Sequence, residues 1–329
     1  MNDGTSWMRP LGSTGLSVSA VCAGGGPLGS MPGVFGYDTP GERAAATVRA
    51  VLDSEIRFID TSNGYSEGES ERRVGAALAA YRDEHGSLPG DLIVATKVDP
   101  DGRDYSGDRV RRSVDESRER LGLDVLPLVH LHDPESFPFE DVAAPGGAVE
   151  ALVALRESGD VTSIGLAGGP VQEMARYLDL GVFDVLLVHN RWTLVDRSAR
   201  GLLATAAERG MGVLNAAVYG GGILAQDPRA AAAGRYGYRD APSAVLDSVA
   251  AMREACARYG TDLATAALQF SLRDPRVTST IVGISRPERV AQTLASARAE
   301  LPADLWEELA GLLPAEDHWL DAPFESSAP

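Results

Sequence analysis

Short apolar runs rich in β-branched residues alternate with helix-spaced segments along almost the whole chain, and this alternation restricts the fold more than any other feature. The strand candidates are VSAVCAG (18–24), IRFID (56–60), LIVATK (92–97), LPLVHLH (126–132), VTSIGLA (161–167), VFDVLLVH (182–189), GVLNAAV (212–218) and VTSTIVG (277–283). Helical segments such as SERRVGAALAAYRDEHG and GDRVRRSVDESRERLG separate them, many ending in glycine, the usual residue at a left-handed helix C-terminus. Two helices, 243–258 and 262–273, fall between the seventh and eighth strands, and PERVAQTLASAR follows the eighth. Eight such units predict an α/β fold, a closed (β/α)8 TIM barrel with long βα loops, and not a doubly wound sheet. MRPLGSTGLSVS is expected to form an N-terminal hairpin under the barrel, and an extra helix is expected at the C-terminal end.

No linker or low-complexity run divides the 329 residues, so 1–329 reads as one barrel domain. A net charge of −17 opposes nucleic acid or an anionic membrane as partner, while leaving room for a phosphate-bearing ligand beside a few local arginines. No segment approaches the roughly 20 apolar residues of a membrane helix, and MNDGTSWMRP has no signal-like pattern, so the cytoplasm is the expected location. Cys22 and Cys256 have neither metal spacing nor a disulfide framework and read as buried thiols. Oligomeric state is not legible.

In a barrel of this kind, functional side chains gather at the C-terminal ends of the strands. Asp60 ends the second strand, Lys97 the third and His132 the fourth, with Tyr65 in the loop after the second. Singly, each has an ordinary explanation as a turn former, a solvated cation, a satisfied polar group or a packing residue. Four from three consecutive units on one face are harder to explain that way. A nearby Lys97 ammonium would stabilise the Tyr65 phenolate, Asp60 would hold that ammonium, and His132 would donate to a substrate oxygen. His130 also faces inward and reads as a deeper, hydrogen-bonded structural histidine. No zinc-like spacing is present, and HDPE (132–135) alone is too thin to support a metal.

The ordered set LGSTGLSVSAVCAGGGPLG, FIDTSNGYSEGESERRVGAAL, ATK, LGLD followed by LVHLHDP, HNRWTL and GISRPERVAQT resembles the aldo-keto reductase family from about residue 9 to 313. The resemblance implies a nicotinamide cofactor lying across the barrel mouth and a catalytic tetrad of Asp60, Tyr65, Lys97 and His132. It places Gly25 and Gly26 near the nicotinamide, together with Asp60, and sets Asn190 against its carboxamide. Gly283, Ser285, Arg286, Arg289 and Gln292 fall at the adenosine end, where Arg289 matches the family arginine associated with the 2′-phosphate. NADP(H) is favoured and NAD(H) is the alternative.

HDPE, HNRWTL and the absence of the nicotinamide-stacking tyrosine, with Ala216 in its place, are more similar to the bacterial aldose 1-dehydrogenases and pyridoxal dehydrogenases. The implied activity is hydride transfer between nicotinamide and a small carbonyl compound, alcohol or aldose. The alternative is a cofactor-binding regulatory subunit with vestigial turnover. Tyr65, His132, Trp192 and Tyr219 are the candidate substrate contacts, with Phe35 and Tyr37 beside them and the tail 316–324 folded over the pocket.

Overall fold

The computed structural model describes residues 6–225, 234–237 and 239–324. Strands β1 (Met8–Pro10) and β2 (Ser17–Ser19) pair antiparallel as the hairpin, and Ala20 then hands the chain to the first barrel strand, β3 (Val21–Gly24). The apolar run 18–24 is thus divided between two sheets. Its neighbours β4 (Phe58–Asp60), β5 (Ile93–Val98), β6 (Leu126–His132), β7 (Val161–Gly168), β8 (Val185–His189) and β9 (Gly212–Ala216) follow in sequence. A small pair, β10 (Arg235–Tyr236) and β11 (Arg239–Asp240), lies in the long loop before β12 (Ser279–Gly283). Part of that loop falls outside the described residues. The barrel closes in the order β12-β3-β4-β5-β6-β7-β8-β9, all parallel.

Alternation along each strand fills the interior. Phe58, Ala95, Leu128, Val185 and Leu214 point inward, and Leu11 and Val18 of the hairpin close the bottom. The hairpin docks tightly, with Ser13 N–H donating to the Gly210 carbonyl. Truncating a fully buried aromatic such as Phe58 to alanine removes about 3–5 kcal/mol, so this layer rigidly supports the mouth above it.

The outer ring comprises α2 (Gly41–Asp53), α3 (Glu69–His85), α4 (Gly107–Leu121), α6 (Ala148–Ser158), α7 (Val171–Leu178), α8 (Arg200–Glu208), α9 (Ser243–Arg258), α10 (Leu263–Leu272), α11 (Glu288–Arg298) and α12 (Ala303–Gly311), with the one-turn α1 (Pro32–Phe35) and α5 (Phe139–Val142) in loops. Ala44, Val48, Val51 and Leu52 give α2 one buried face. The Ser106 side chain caps α4 by accepting from Arg109 N–H, and Gly122 ends that helix with φ 65°, a conformation costly for a residue with a Cβ. Among the described residues no helix is long and apolar enough to cross a membrane.

Candidate active site at the barrel mouth

Register brings the polar residues together. Asp60 lies opposite Ala95, Lys97 opposite His130 and His132 opposite Ala167, so the inward side chains of three adjacent strands open on one mouth. Lys97 Nζ donates to Asp60 Oδ2 (2.7 Å), to the Thr61 carbonyl (2.7 Å) and to the Tyr65 hydroxyl (3.1 Å). Tyr65 returns to this mouth because its loop is fixed from behind. Glu71 is buried, accepting from Thr96 Oγ1 (2.6 Å) and Arg120 (3.1 Å), and Arg120 also donates to the Asn63 carbonyl. Glu71 therefore anchors the loop that carries Tyr65.

The electrostatics of Tyr65 differ from the sequence expectation. Burial pushes its phenol above the ordinary tyrosine value, and the Lys97 ammonium opposes this only in part. The phenol holds its proton at neutrality. Burial also works against the charge on Lys97, but Asp60 and Tyr65 outweigh it and raise the ammonium above its ordinary value.

His132 has a partner that sequence reading missed. Its Nδ1 lies 2.7 Å from Asp99 Oδ1, and Asp99 is held in turn by the Ser62 hydroxyl and by Gly64 N–H (2.7 Å). A carboxylate only accepts, so Nδ1 carries a proton, and Nε2 becomes a donor when the ring is charged. Burial disfavours that charge, but Asp99 and Asp133 outweigh it and raise the His132 pKa. The available signal was period two along β5, which puts Asp99 on the face of Lys97. Tyr105 fixes the strand end, accepting from His132 N–H (2.9 Å).

A cavity of about 400 Å³ opens above these groups, lined by Asp60, Tyr65, Lys97 and His132 and walled by Met31, Val34 and Phe35. A second, of about 410 Å³, shares Pro27, Val34, Phe35, Ala217 and Gly283 with the first and continues to Tyr219, Ser285, Arg235, Arg286 and Arg289. Among the described residues no carboxylate lines this second cavity. It ends at the N-terminus of α11, whose positive dipole end adds to the guanidinium charge. The two cavities form one elongated groove, apolar and proton-bearing at one end and cationic at the other.

The aldo/keto reductase family pattern matches residues 21–314. The chain belongs to the aldo/keto reductase family. It is 32% identical over 327 residues to D-threo-aldose 1-dehydrogenase of a Pseudomonas species, covering 91% of this chain and 95% of that protein. L-galactose dehydrogenase of Arabidopsis thaliana is 33% identical (88% and 87% covered), and pyridoxal 4-dehydrogenase of Microbacterium luteolum is 30% identical (92% and 96%). The holo form of an aldo-keto reductase from Bacillus halodurans superposes with a TM-score of 0.77 at 24% identity, covering 97% of this chain and 98% of that one, and shares the fold.

Within this aldo/keto reductase, several side chains stand elsewhere than the sequence reading had them. Gly26 lines the first cavity, where a Cβ would approach Phe35 (3.3 Å) and Tyr65 (3.7 Å), whereas Gly25 faces the Asp60 carbonyl and Ser70. Asn190 follows β8 with φ 63° and does not itself line the cavity; its side-chain amide lies 3.1 Å from Nδ1 of His189, which does. Gln292 accepts from Arg289 (3.4 Å) outside the groove. Trp192 lines neither cavity and packs on Phe270 and under Arg197. Tyr219 belongs to the arginine end, and Tyr37 with it.

The tail also departs from expectation. It is pinned beside the β8 loop, with Asp321 on Arg191 (2.8 Å), Leu320 N–H on Asp196 and Phe324 N–H on the Ser198 carbonyl. It does not line the groove. His130 is buried as expected, yet among the described residues neither ring nitrogen has a hydrogen-bond partner, and burial lowers its pKa well below the ordinary value. Space for its ring exists because position 165 is glycine.

Proposed function

We propose that this chain catalyses hydride transfer between a nicotinamide cofactor, NADP(H) in preference to NAD(H), and the reacting carbon of a small carbonyl compound or aldose. The observation that carries this is the continuity of the groove. Its proton-bearing end holds Asp60, Tyr65, Lys97 and His132, and its far end offers Arg286 and Arg289, with no carboxylate among the described residues that line it. An extended ligand with phosphates at one end and a flat polar ring at the other fits this distribution.

Gly26 and Gly283 leave room along the groove, while Ser285, Arg286 and Arg289 are the groups to hold phosphate. When bound, the nicotinamide supplies the hydride acceptor in oxidation and the donor in reduction. The protein's own residues manage the proton. In reduction Tyr65 gives its proton to the carbonyl oxygen, Lys97 stabilises the resulting phenolate, and His132 Nε2–H orients that oxygen. In oxidation of a cyclic aldose the same groups run in reverse: Tyr65 first loses its proton to solvent, its phenolate, held by Lys97, accepts the C1 hydroxyl proton, the C1 hydride passes to the bound cofactor, and a lactone remains.

Aldose oxidation at C1 is the preferred substrate reading, supported by similarity to enzymes named for aldoses and L-galactose and by polar side chains on one wall of the cavity. The test is a matrix of NADP+ and NAD+ with aldoses, and of NADPH and NADH with aldehydes, followed by nicotinamide absorbance. Turnover in at least one combination is expected, with NADP(H) raising the melting temperature more than NAD(H). No turnover in any combination would favour the regulatory-subunit reading.

A further inference from the structure

The apolar wall of Met31, Val34 and Phe35 faces a different one. Asp133 and His189 line the same cavity, and Glu135 stands behind them beside Gly168. Each offers one ligand atom, and the three atoms lie within 4.8 Å of one another. Sequence spacing could not show this cluster, because His189 arrives from another strand than the HDPE segment.

Two acceptor atoms of this wall lack a hydrogen bond among the described residues: Glu135 Oε2, and Asp133 Oδ1, which has His189 Nε2 at 3.7 Å, beyond hydrogen-bond reach. The other Glu135 oxygen is used, accepting from Gly169 N–H (3.0 Å). Ionised carboxylates only accept, and an acceptor that loses its water without gaining a donor is costly, so this wall calls for donors from whatever fills the cavity. Its position relative to the chemistry is informative. Asp133 Oδ2 lies 3.8 Å from His132 Nε2, the ring nitrogen available to the reacting oxygen. A donor that reaches Asp133 while the reacting oxygen sits between Tyr65 and His132 must therefore be carried close to the reacting carbon.

We propose that Asp133, flanked by His189 and supported by Glu135, is a hydroxyl-accepting subsite that selects substrates bearing a hydroxyl on the carbon next to the reacting one. The class is α-hydroxy aldehydes and cyclic aldoses, preferred over their deoxy counterparts. Asp133 accepts a hydrogen bond from that hydroxyl and takes no part in proton or hydride transfer. This rests on the oxidoreductase reading of the same mouth and adds to it the feature by which substrates are told apart.

The test compares lactaldehyde with propionaldehyde, which differ by that one hydroxyl, using NADPH and the full chain; an aldopentose and its 2-deoxy counterpart serve the oxidative direction. Wild type is expected to favour the hydroxylated member in kcat/KM. In Asp133→Ala the preference should fall about 10- to 100-fold, mainly through KM for the hydroxylated substrate, as for loss of a charged hydrogen bond. Asp133→Asn keeps one acceptor oxygen and should fall between. The ratio matters because changing Asp133 also alters the field at His132, which affects both substrates alike. An unchanged ratio in Asp133→Ala, with propionaldehyde still reduced by wild type, overturns the subsite and leaves the oxidoreductase reading intact. Failure of wild type on every substrate in both directions overturns the reading beneath it. The same assays run after chelation and with added Mg2+, Mn2+ or Zn2+ separate the competing occupant: a preference that disappears on chelation and returns with a cation overturns the hydroxyl subsite in favour of a cation site.

Discussion

Lys97 and Asp60 form a 2.7 Å ion pair with side-chain exposures of only 2% and 4%. Water does not compensate either charge, so each depends on the other, and the Lys97 ammonium also on the Thr61 carbonyl that accepts from it. Asp60→Asn leaves a buried ammonium without its counter-ion and should lower unfolding free energy by about 3–5 kcal/mol. Urea titration of Asp60→Asn, Lys97→Met and the double variant checks this, with the double variant expected to be more stable than Asp60→Asn alone.

The pair formed by His132 and Asp99 gives a pH signature. Burial opposes the charged ring, but Asp99 and Asp133 prevail and the folded-state pKa is raised above 6.5. A raised pKa means stabilisation that is fully present below the unfolded value and lost as pH climbs through the folded one. The stability difference between wild type and Asp99→Asn should thus be greatest near pH 6 and shrink towards alkaline pH. Thermal unfolding across that range reads it out, and a difference that grows with pH would contradict the assignment.

The arginine end of the groove decides between the two cofactors. Arg289 and Arg286 line a cavity that has no carboxylate among its described residues, and a 2′-phosphate is the extra charge that NADP(H) carries. Arg289→Ala should raise KM for NADPH about tenfold, a loss of ~1.4 kcal/mol, while changing KM for NADH much less. Steady-state kinetics with both cofactors measures the ratio.

Barrel packing makes a separate prediction. A Cβ at Gly165 would lie 2.1 Å from His130 Nδ1 and 2.5 Å from its Cε1. Gly165→Ala should cost about 1–3 kcal/mol through overpacking, and His130→Ala in that background should recover part of it. A double-mutant cycle by denaturant unfolding tests the coupling.

Much of this architecture was legible in the chain because its strands are buried on both faces and read as continuous apolar runs. The run 126–132 became β6 over the same residues, while 18–24 split at Ala20, since apolarity alone does not distinguish a hairpin strand that plugs the bottom from a stave of the wall. Asp60, Lys97 and His132 were readable from strand-end position. Asp99 was passed over although it shares a face with Lys97, and His189, which lines the cavity, was passed over for its neighbour Asn190, which contacts it from behind at 3.1 Å. The Asp133, Glu135 and His189 wall joins two strands distant in sequence, and only barrel closure brings it together. Trp192 and the tail illustrate the opposite limit, because an aromatic residue looks the same in sequence whether it lines a pocket or packs behind one.

Tyr65 is the residue on which the account turns. The most direct measurement is nicotinamide absorbance in the matrix of cofactors and substrates, wild type beside Tyr65→Phe, with NADP(H) binding followed in parallel by the shift in melting temperature. Tyr65→Phe is expected to bind NADP(H) still but to turn over about 10²- to 10⁴-fold more slowly. Turnover at the wild-type rate in Tyr65→Phe would contradict this.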